Sequence, residues 1–267
     1  MTPPAYLINL DGSEARLRSA SAALRAAGIA FDRVPAFDGR QLTPDAFPDY
    51  DAAAAMRHLG RPMRGGEIGC YLSHLRVARR FLETAADNCL VFEDDLQLRP
   101  GAAEGIAQVL DWLARRDLAW DLIHLAPARL RIHTPILELR LPEGGHRLTR
   151  AHYFPMTTTA LIWSRPGAEA FLRGHERIFA PVDIYFRHWL TRSNRGLAVW
   201  PPLVVTSGAD SEIAPAAAAR RSAGGRHPLY PLIRQYRMAT DKLIALRHRW
   251  RGRGPGGDQA GSFAKRR

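Results

Sequence analysis

Short apolar runs alternating with helical repeats place this chain among the α/β layer proteins, with one mostly parallel central sheet. Three observations support this. Tyr6-Leu7-Ile8-Asn9-Leu10 and Cys89-Leu90-Val91-Phe92 are nearly continuous apolar runs, as in strands covered on both faces. Turn or acidic residues close each run, and a segment with helical apolar spacing follows. The 267 residues are 46% hydrophobic and 24% charged, an ordinary globular composition that excludes a fibrous or wholly disordered chain.

The run 6–10, closed by Asp11-Gly12, predicts the first strand. Ser13 and Glu14 open a helix to about Ala27, with Gly28 as its stop. Residues 31–37 predict a second strand ending at Asp38-Gly39. Pro44, Pro48, Gly60 and Pro62 make 40–64 a long loop with one helical piece, and long loops are often functional. Gly65-Gly66 precede a helix over 67–84, where Ile68, Leu72, Leu75 and Leu82 follow helical spacing. The run 89–92 predicts a buried strand that ends in Glu93-Asp94-Asp95. A helix near 101–116, strands at 121–125 and 158–163, and a helix opening at 167–172 follow. Residues 214–227 read as a linker, 228–250 as an amphipathic helix, and the Gly-rich end from Gly252 as disorder. The chain therefore divides into a body over 1–213 and a basic C-terminal part over 214–267.

Charge separates the same two parts. The net charge is +12, yet 1–213 carries 25 Arg and 24 acids, whereas 214–267 carries 11 Arg, 2 Lys and 2 acids. A nearly neutral body without a recognised nucleic-acid-binding motif argues against nucleic acid as the partner. In 228–250, Arg234, Arg237, Lys242, Arg247 and Arg249 surround Leu229, Leu232, Ile233, Tyr236, Leu243, Leu246 and Trp250. That pattern suits an anionic membrane surface, or a helix packed on the body with a solvated basic face. No run of roughly 18 apolar residues predicts a spanning helix. The N-terminal residues lack the pattern of a secretory signal, and two cysteines, Cys70 and Cys89, fit a reducing cytosol better than a disulfide framework.

The acidic triplet is the most informative feature. Adjacent carboxylates at a partly desolvated strand end raise one another's pKa unless a cation compensates. Extended backbone would turn Glu93 and Asp95 to one side, toward a single ion, and Asp94 away. Oxygen ligands of this kind suit Mg²⁺ or Mn²⁺. The carboxyl end of a strand is also where open α/β sheets place ligands. The plain alternative is an acidic turn ahead of the next helix.

With Gly66-Glu67-Ile68-Gly69-Cys70, Ser73-His74 and Val91-Phe92-Glu93-Asp94-Asp95, the chain resembles glycosyltransferase family 25, the lipopolysaccharide and lipooligosaccharide group. The opening run through Asp11 with Arg16, Ala36-Phe37-Asp38-Gly39, Trp120-Asp121-Leu122-Ile123-His124-Leu125, Pro181-Val182-Asp183 and Ser211 with Ile213 are similar to further motifs of that family, in order. At Thr157-Thr158-Thr159-Ala160-Leu161 the chain departs, because the family usually has a glycine just before the alanine and a tyrosine after it.

The resemblance implies a GT-A-like nucleotide-binding domain over 1–213. It implies inverting transfer of a sugar, often galactose, from a UDP-sugar to a glycan or lipid-linked glycan acceptor such as lipopolysaccharide. The implied location is cytoplasmic, peripheral to the inner face of the inner membrane. A catalytically inactive, ligand-binding relative and a nucleic-acid-binding protein are the rival readings. Mn²⁺ or Mg²⁺ at Glu93 and Asp95 would neutralise the departing diphosphate. Asp183 is the candidate base, with Tyr185-Phe186 beside it to meet a sugar face, and Asp94 competes for the role. A helix N-cap after Pro181 is the structural alternative for Asp183. Substrate contacts fall to Asn9, Asp11, Arg16, Asp38, Gly66, Glu67, Ser73 and His74. Four of these have an ordinary alternative: a solvated charge for Arg16, a turn for Asp38, a helix-end charge for Glu67, a satisfied structural imidazole for His74.

Overall fold

The computed structural model describes residues 3–174, 177–208 and 225–252. Ser211, Ile213, most of the expected linker and the Gly-rich end lie outside them. Eight strands form the central sheet: β1 (Ala5–Asn9), β2 (Asp32–Pro35), β3 (Asn88–Glu93), β5 (Leu122–His124), β6 (His133–Glu138), β7 (Arg147–Ala151), β8 (Ala160–Ser164) and β9 (Gly196–Trp200). Their order is β2-β1-β3-β8-β5-β9-β7-β6. Six point one way, and β8 and β7 are reversed. A separate antiparallel pair joins β4 (Leu96–Leu98) to β10 (Val204–Thr206). The helices are α1 (Glu14–Ala26), α2 (Ala52–Leu59), α3 (Gly65–Leu82), α4 (Ala102–Ala114), α5 (Arg165–Arg173), α6 (Val182–Ser193) and α7 (Tyr230–Arg251). This is the expected α/β architecture, with a mostly parallel sheet and a C-terminal helix.

Strand alternation divides the core. Tyr6 and Ile8 of β1, with Cys89 and Val91 of β3, face one cluster with α3, α5 and α6. Ala5 and Leu7, with Leu90 and Phe92, face the other, with α1 and α4. Burial on both faces explains why these strands read as unbroken apolar runs. On the first face Trp163, Phe171, Phe186 and Trp189 form an aromatic cluster, with Trp163 and Phe171 stacked at 5.3 Å.

The segment 40–64 is more ordered than expected. It holds a 3₁₀ turn at Pro44–Ala46, then α2. Asp51 caps α2 by accepting the Ala54 N–H at 2.8 Å. The hairpin β6–β7 and strand β9 had no strong sequence pattern. β6 carries Pro135 and occupies an edge, where a missing N–H is tolerated.

Helix α7 packs on the body against α2 and α6. Asp241, its only acid, is buried and bonds Arg192 of α6 at 2.8 Å. Arg237 donates to the His58 carbonyl at 3.2 Å, and the His227 N–H donates to Gly60 O at 2.8 Å.

Candidate active site

The triplet sits where β3 ends, but its backbone does not stay extended. Glu93 is the last strand residue, and Asp94-Asp95 form a turn into β4. The expected alternation therefore stops at Glu93, and the three carboxylates meet different surroundings. Glu93 Oε1 accepts from Thr158 Oγ1 at 2.7 Å, lies 3.2 Å from His74 Nε2, and is 3.8 Å from Cys70 Sγ. Burial pushes Glu93 up, but His74, Thr158 and Arg16 outweigh it and hold the carboxyl below its ordinary value. Asp94 forms an ion pair with Arg16 and accepts from Asn9 Nδ2 at 2.7 Å. It lines the same cavity as Glu93 and Asp95 and is already neutralised, which weighs against a proton-accepting role. Asp95 differs from both. Its Oδ1 is buried with no hydrogen-bond partner among the described residues, and burial with the charges of Glu93 and Asp94 raises its pKa to about 6.

Two cavities meet at this point and share Cys70, Glu93 and Asp95. The first is walled by the end of β1, the loop after β2 and the start of α3, including Asn9, Arg16, Phe37, Asp38, Gly66 and Ser73. The close approach of that loop to α3 requires glycine: a Cβ on Gly39 would lie 2.1 Å from the Gly65 carbonyl oxygen. The second cavity is lined by Glu67, Thr157, Thr158, Pro181, Asp183 and Thr206. Its open volume is about 320 Å³, room for a monosaccharide.

Several side chains expected to contact substrate are engaged within the chain. Glu67 holds Arg61 through two bonds of 2.7 and 2.8 Å and accepts the Arg64 N–H at 2.9 Å, closing the start of α3. Ser73 Oγ accepts the Phe37 N–H and donates to the Gly69 carbonyl, each at 2.8 Å, so it pins the loop. Asp11 is exposed, pairs with Arg33 and lines neither cavity. Asp38 pairs with Arg40 at 2.8 Å. His74 is fully buried behind Glu93. Tyr185 and Phe186 do not present a sugar platform, because both are buried in the aromatic cluster.

Asp183 lies in the first turn of α6. Burial raises its pKa, while the Ile184 N–H, Arg187 and the Thr157 N–H oppose the shift. It accepts its own helix's Ile184 N–H at 2.7 Å and still borders the second cavity. Its helix-end role and its cavity position therefore coexist. Beside it, Thr157 has a φ of 77°, a left-handed conformation that a β-branched residue rarely adopts. This is the triplet of threonines where the sequence departed from its family pattern, and the backbone there still has a glycine-like shape. Sequence reasoning missed Thr158 as a partner of Glu93, for its signal was only that departure.

The donor set fits a cation on structural grounds. A buried, unpartnered carboxylate oxygen beside two further carboxylates is an arrangement that a divalent ion completes. Cys70, His74 and Glu93 also place ligand atoms within 4.8 Å of one another. Burial and the nearby carboxylates raise the Cys70 thiol well above its ordinary value, so that group is a hydrogen-bonded network at rest.

The family model described as "Glycosyltransferase family 25 (LPS biosynthesis protein)" matches residues 2–128. A "Glycosyltransferase 25 family member" of Aedes aegypti is 32% identical over 73% of this chain and 34% of its own length. "Procollagen galactosyltransferase 1" of Danio rerio is 27% identical over 54% of this chain and 26% of its own. A "Probable inactive glycosyltransferase 25 family member 3" of Bos taurus is 29% identical over 56% of this chain and 25% of its own. The chain thus spans between a quarter and about a third of these relatives' length.

Proposed function

Because the chain belongs to glycosyltransferase family 25, we propose that it transfers a sugar from a UDP-sugar to a hydroxyl of a glycan, with inversion at the anomeric carbon. Asp95 carries this reading: its buried oxygen, unpartnered among the described residues, stands at the junction of the two cavities. In this reading the first cavity takes UDP, with Phe37 supplying an aromatic face and Asn9 and Arg16 fixing the Asp94 side of its floor. Glu93 and Asp95 would hold Mn²⁺ or Mg²⁺, whose charge offsets that of the departing diphosphate. The second cavity takes the transferred sugar and the accepting hydroxyl. Asp183, whose raised pKa makes its carboxylate more basic than usual, accepts the hydroxyl proton. The Thr157 N–H bonds it, and the charge of Arg187 acts on it from a distance. Galactose is the proposed sugar, by similarity to a relative named for galactosyl transfer. The proposed acceptor is lipopolysaccharide or a related, lipid-linked surface glycan, as the family description suggests.

Calorimetric titration of UDP with Mn²⁺, with and without EDTA, tests this on wild type and Asp95→Ala. Metal-dependent UDP binding that Asp95→Ala abolishes supports the reading. No UDP binding under any metal condition sinks it, and moves the chain toward the inactive member named among its relatives.

A lipid-linked acceptor also proposes a location, the cytoplasmic face of the inner membrane. No helix among the described residues is long and apolar enough to cross a membrane. On α7 and the residue before it, however, Leu229, Leu232, Tyr236, Leu243 and Trp250 are 53–76% exposed, and among the described residues only Leu42 is a comparably exposed large apolar group. Four of these five recur every seven residues, which aligns them along the outer face. Lys242, Arg247, Arg249 and Arg251 flank that face, and the helix's one acid points into the body. Two copies meeting along this stripe would bring cations together, whereas anionic lipid complements them. Co-sedimentation with phosphatidylglycerol vesicles but not phosphatidylcholine vesicles, lost in Leu232→Asp/Leu243→Asp, is the expected result. Equal sedimentation with both lipids, or a dimer in its place, overturns it.

A further inference from the structure

Beyond the sugar cavity the surface changes sign. Thr157 is shared with an adjoining cavity that contains Arg129, Arg131 and Arg187, and Met156, Arg187 and Met238 connect that cavity to a third. The third lies between the body and α7, has an open volume of about 430 Å³, and adds Arg61, Arg234 and Arg237. Among the described residues, these two connected cavities carry six guanidinium groups and no acidic lining residue.

The compensation around these arginines is incomplete. Arg61 is matched by Glu67. Arg187 donates to the Phe154 carbonyl at 2.8 Å and to Tyr153 Oη at 3.3 Å, and lies over the Tyr153 ring at 4.5 Å. Arg237 donates to a carbonyl. Carbonyl and hydroxyl partners orient a guanidinium without cancelling its charge. Asp183 and Asp241 act on Arg187 from a distance, and Asp241 is itself bonded to Arg192. Burial lowers the pKa of both Arg187 and Arg237, which shows that each is partly desolvated without a full counterion. Arg129, Arg131 and Arg234 are exposed at the rim.

We propose that this groove binds an anionic glycan, one carrying phosphate or carboxylate a residue or so from the hydroxyl that enters the Asp183 cavity. It rests on the transferase reading only in taking that glycan as the acceptor. Guanidinium forks suit phosphate and carboxylate because two parallel N–H donors match two oxygens. All of these arginines except Arg61 lie outside the segment 2–128 that matches the family model. Helix α7 has two uses on opposite sides, its inner arginines toward the glycan and its outer apolar stripe toward lipid.

The test is calorimetry on the full chain with phosphorylated mannopentaose, neutral mannopentaose and inorganic phosphate, for wild type and Arg129→Gln/Arg131→Gln/Arg234→Gln. These three side chains are exposed, so the variant keeps its fold, which circular dichroism checks. The phosphorylated pentasaccharide is expected to bind at least about tenfold more tightly than either control, and the triple variant to lose that margin. Equal binding of the charged and neutral sugars, inorganic phosphate binding as tightly as the phosphorylated sugar, or a margin unmoved in the folded triple variant each overturns the proposal. UDP binding measured on the same samples separates the two readings. A margin that survives where UDP fails to bind supports the groove and refutes the donor site alone.

Discussion

The carboxylate floor of the first cavity and the arginine wall of the groove handle charge in opposite ways. On the floor, Glu93 and Asp94 are satisfied inside the chain, by His74 and Thr158 in one case and by Arg16 and Asn9 in the other. Only Asp95 is left with a buried oxygen to share. On the wall, Arg187 and Arg237 are held in place by carbonyls, and Arg234 at the rim is exposed. A floor with one open valence suits a small ion, and a wall with distributed open charge suits an extended ligand.

The largest effect should come from the floor. Asp95→Ala is expected to lower transfer by at least about a hundredfold and to abolish the response of UDP binding to Mn²⁺. Phosphorylated-sugar binding should stay unchanged. A variant that retained Mn²⁺-dependent UDP affinity would show that the floor has no single open position.

The second effect concerns the support of the wall. Asp241→Asn leaves Arg192 facing a neutral amide, where α7 docks on α6. Breaking a buried pair costs about 3–5 kcal/mol, and the partial exposure of Arg192 reduces this to about 2 kcal/mol. Urea unfolding reads the loss. A change below about 0.5 kcal/mol would mean that other contacts hold the helix.

Acid should act on the scaffold next to both regions. Burial lowers the pKa of His124, beneath the Thr157 turn, to about 4, and that of His152 likewise to about 4. Each binds a proton less readily folded than unfolded, so its stabilising contribution is complete above about pH 6.5 and disappears as pH falls toward 4. Between pH 7 and pH 5 the expected loss is about 1–2 kcal/mol per imidazole. Urea midpoints for wild type and His152→Gln measure it. An unchanged pH slope in the variant would place the titration elsewhere.

The smallest expected effect is a gain. Thr157→Gly removes an unfavourable left-handed threonine and should stabilise the fold by about 1 kcal/mol. A fall in stability would show that the Thr157 hydroxyl, 3.3 Å from His124 Nε2, outweighs the strain.

Much of the fold was legible because its signals are local. β1 and β3 read as apolar runs, and α3 read from its glycines and apolar spacing. The hairpin β6–β7 was not, because β6 is a half-buried edge strand with a weak alternation and its Pro135 argues against a strand. In the site, the triplet was visible as three letters, yet its division of labour depends on Arg16, His74 and Thr158. Those residues reach it from α1, α3 and the loop before β8. Sequence spacing also suggested Glu67 and Ser73 as substrate contacts, whereas packing had already used their polar atoms. The arginine wall was hidden because it is gathered from four separate stretches of chain, each with an ordinary density of arginine.

The reversed strand β8 has a consequence for how the chain is made. β5 finds its sheet neighbours only in β8 and β9, and β3 has β8 along one whole edge. As the ribosome delivers residues in order, the sheet's two halves stay unjoined until Ser164 has emerged. Residues 2–128 alone, the segment that carries the family's pattern, would leave β5 without a neighbour and β3 with an open edge. Such a fragment is expected to aggregate through that edge rather than fold.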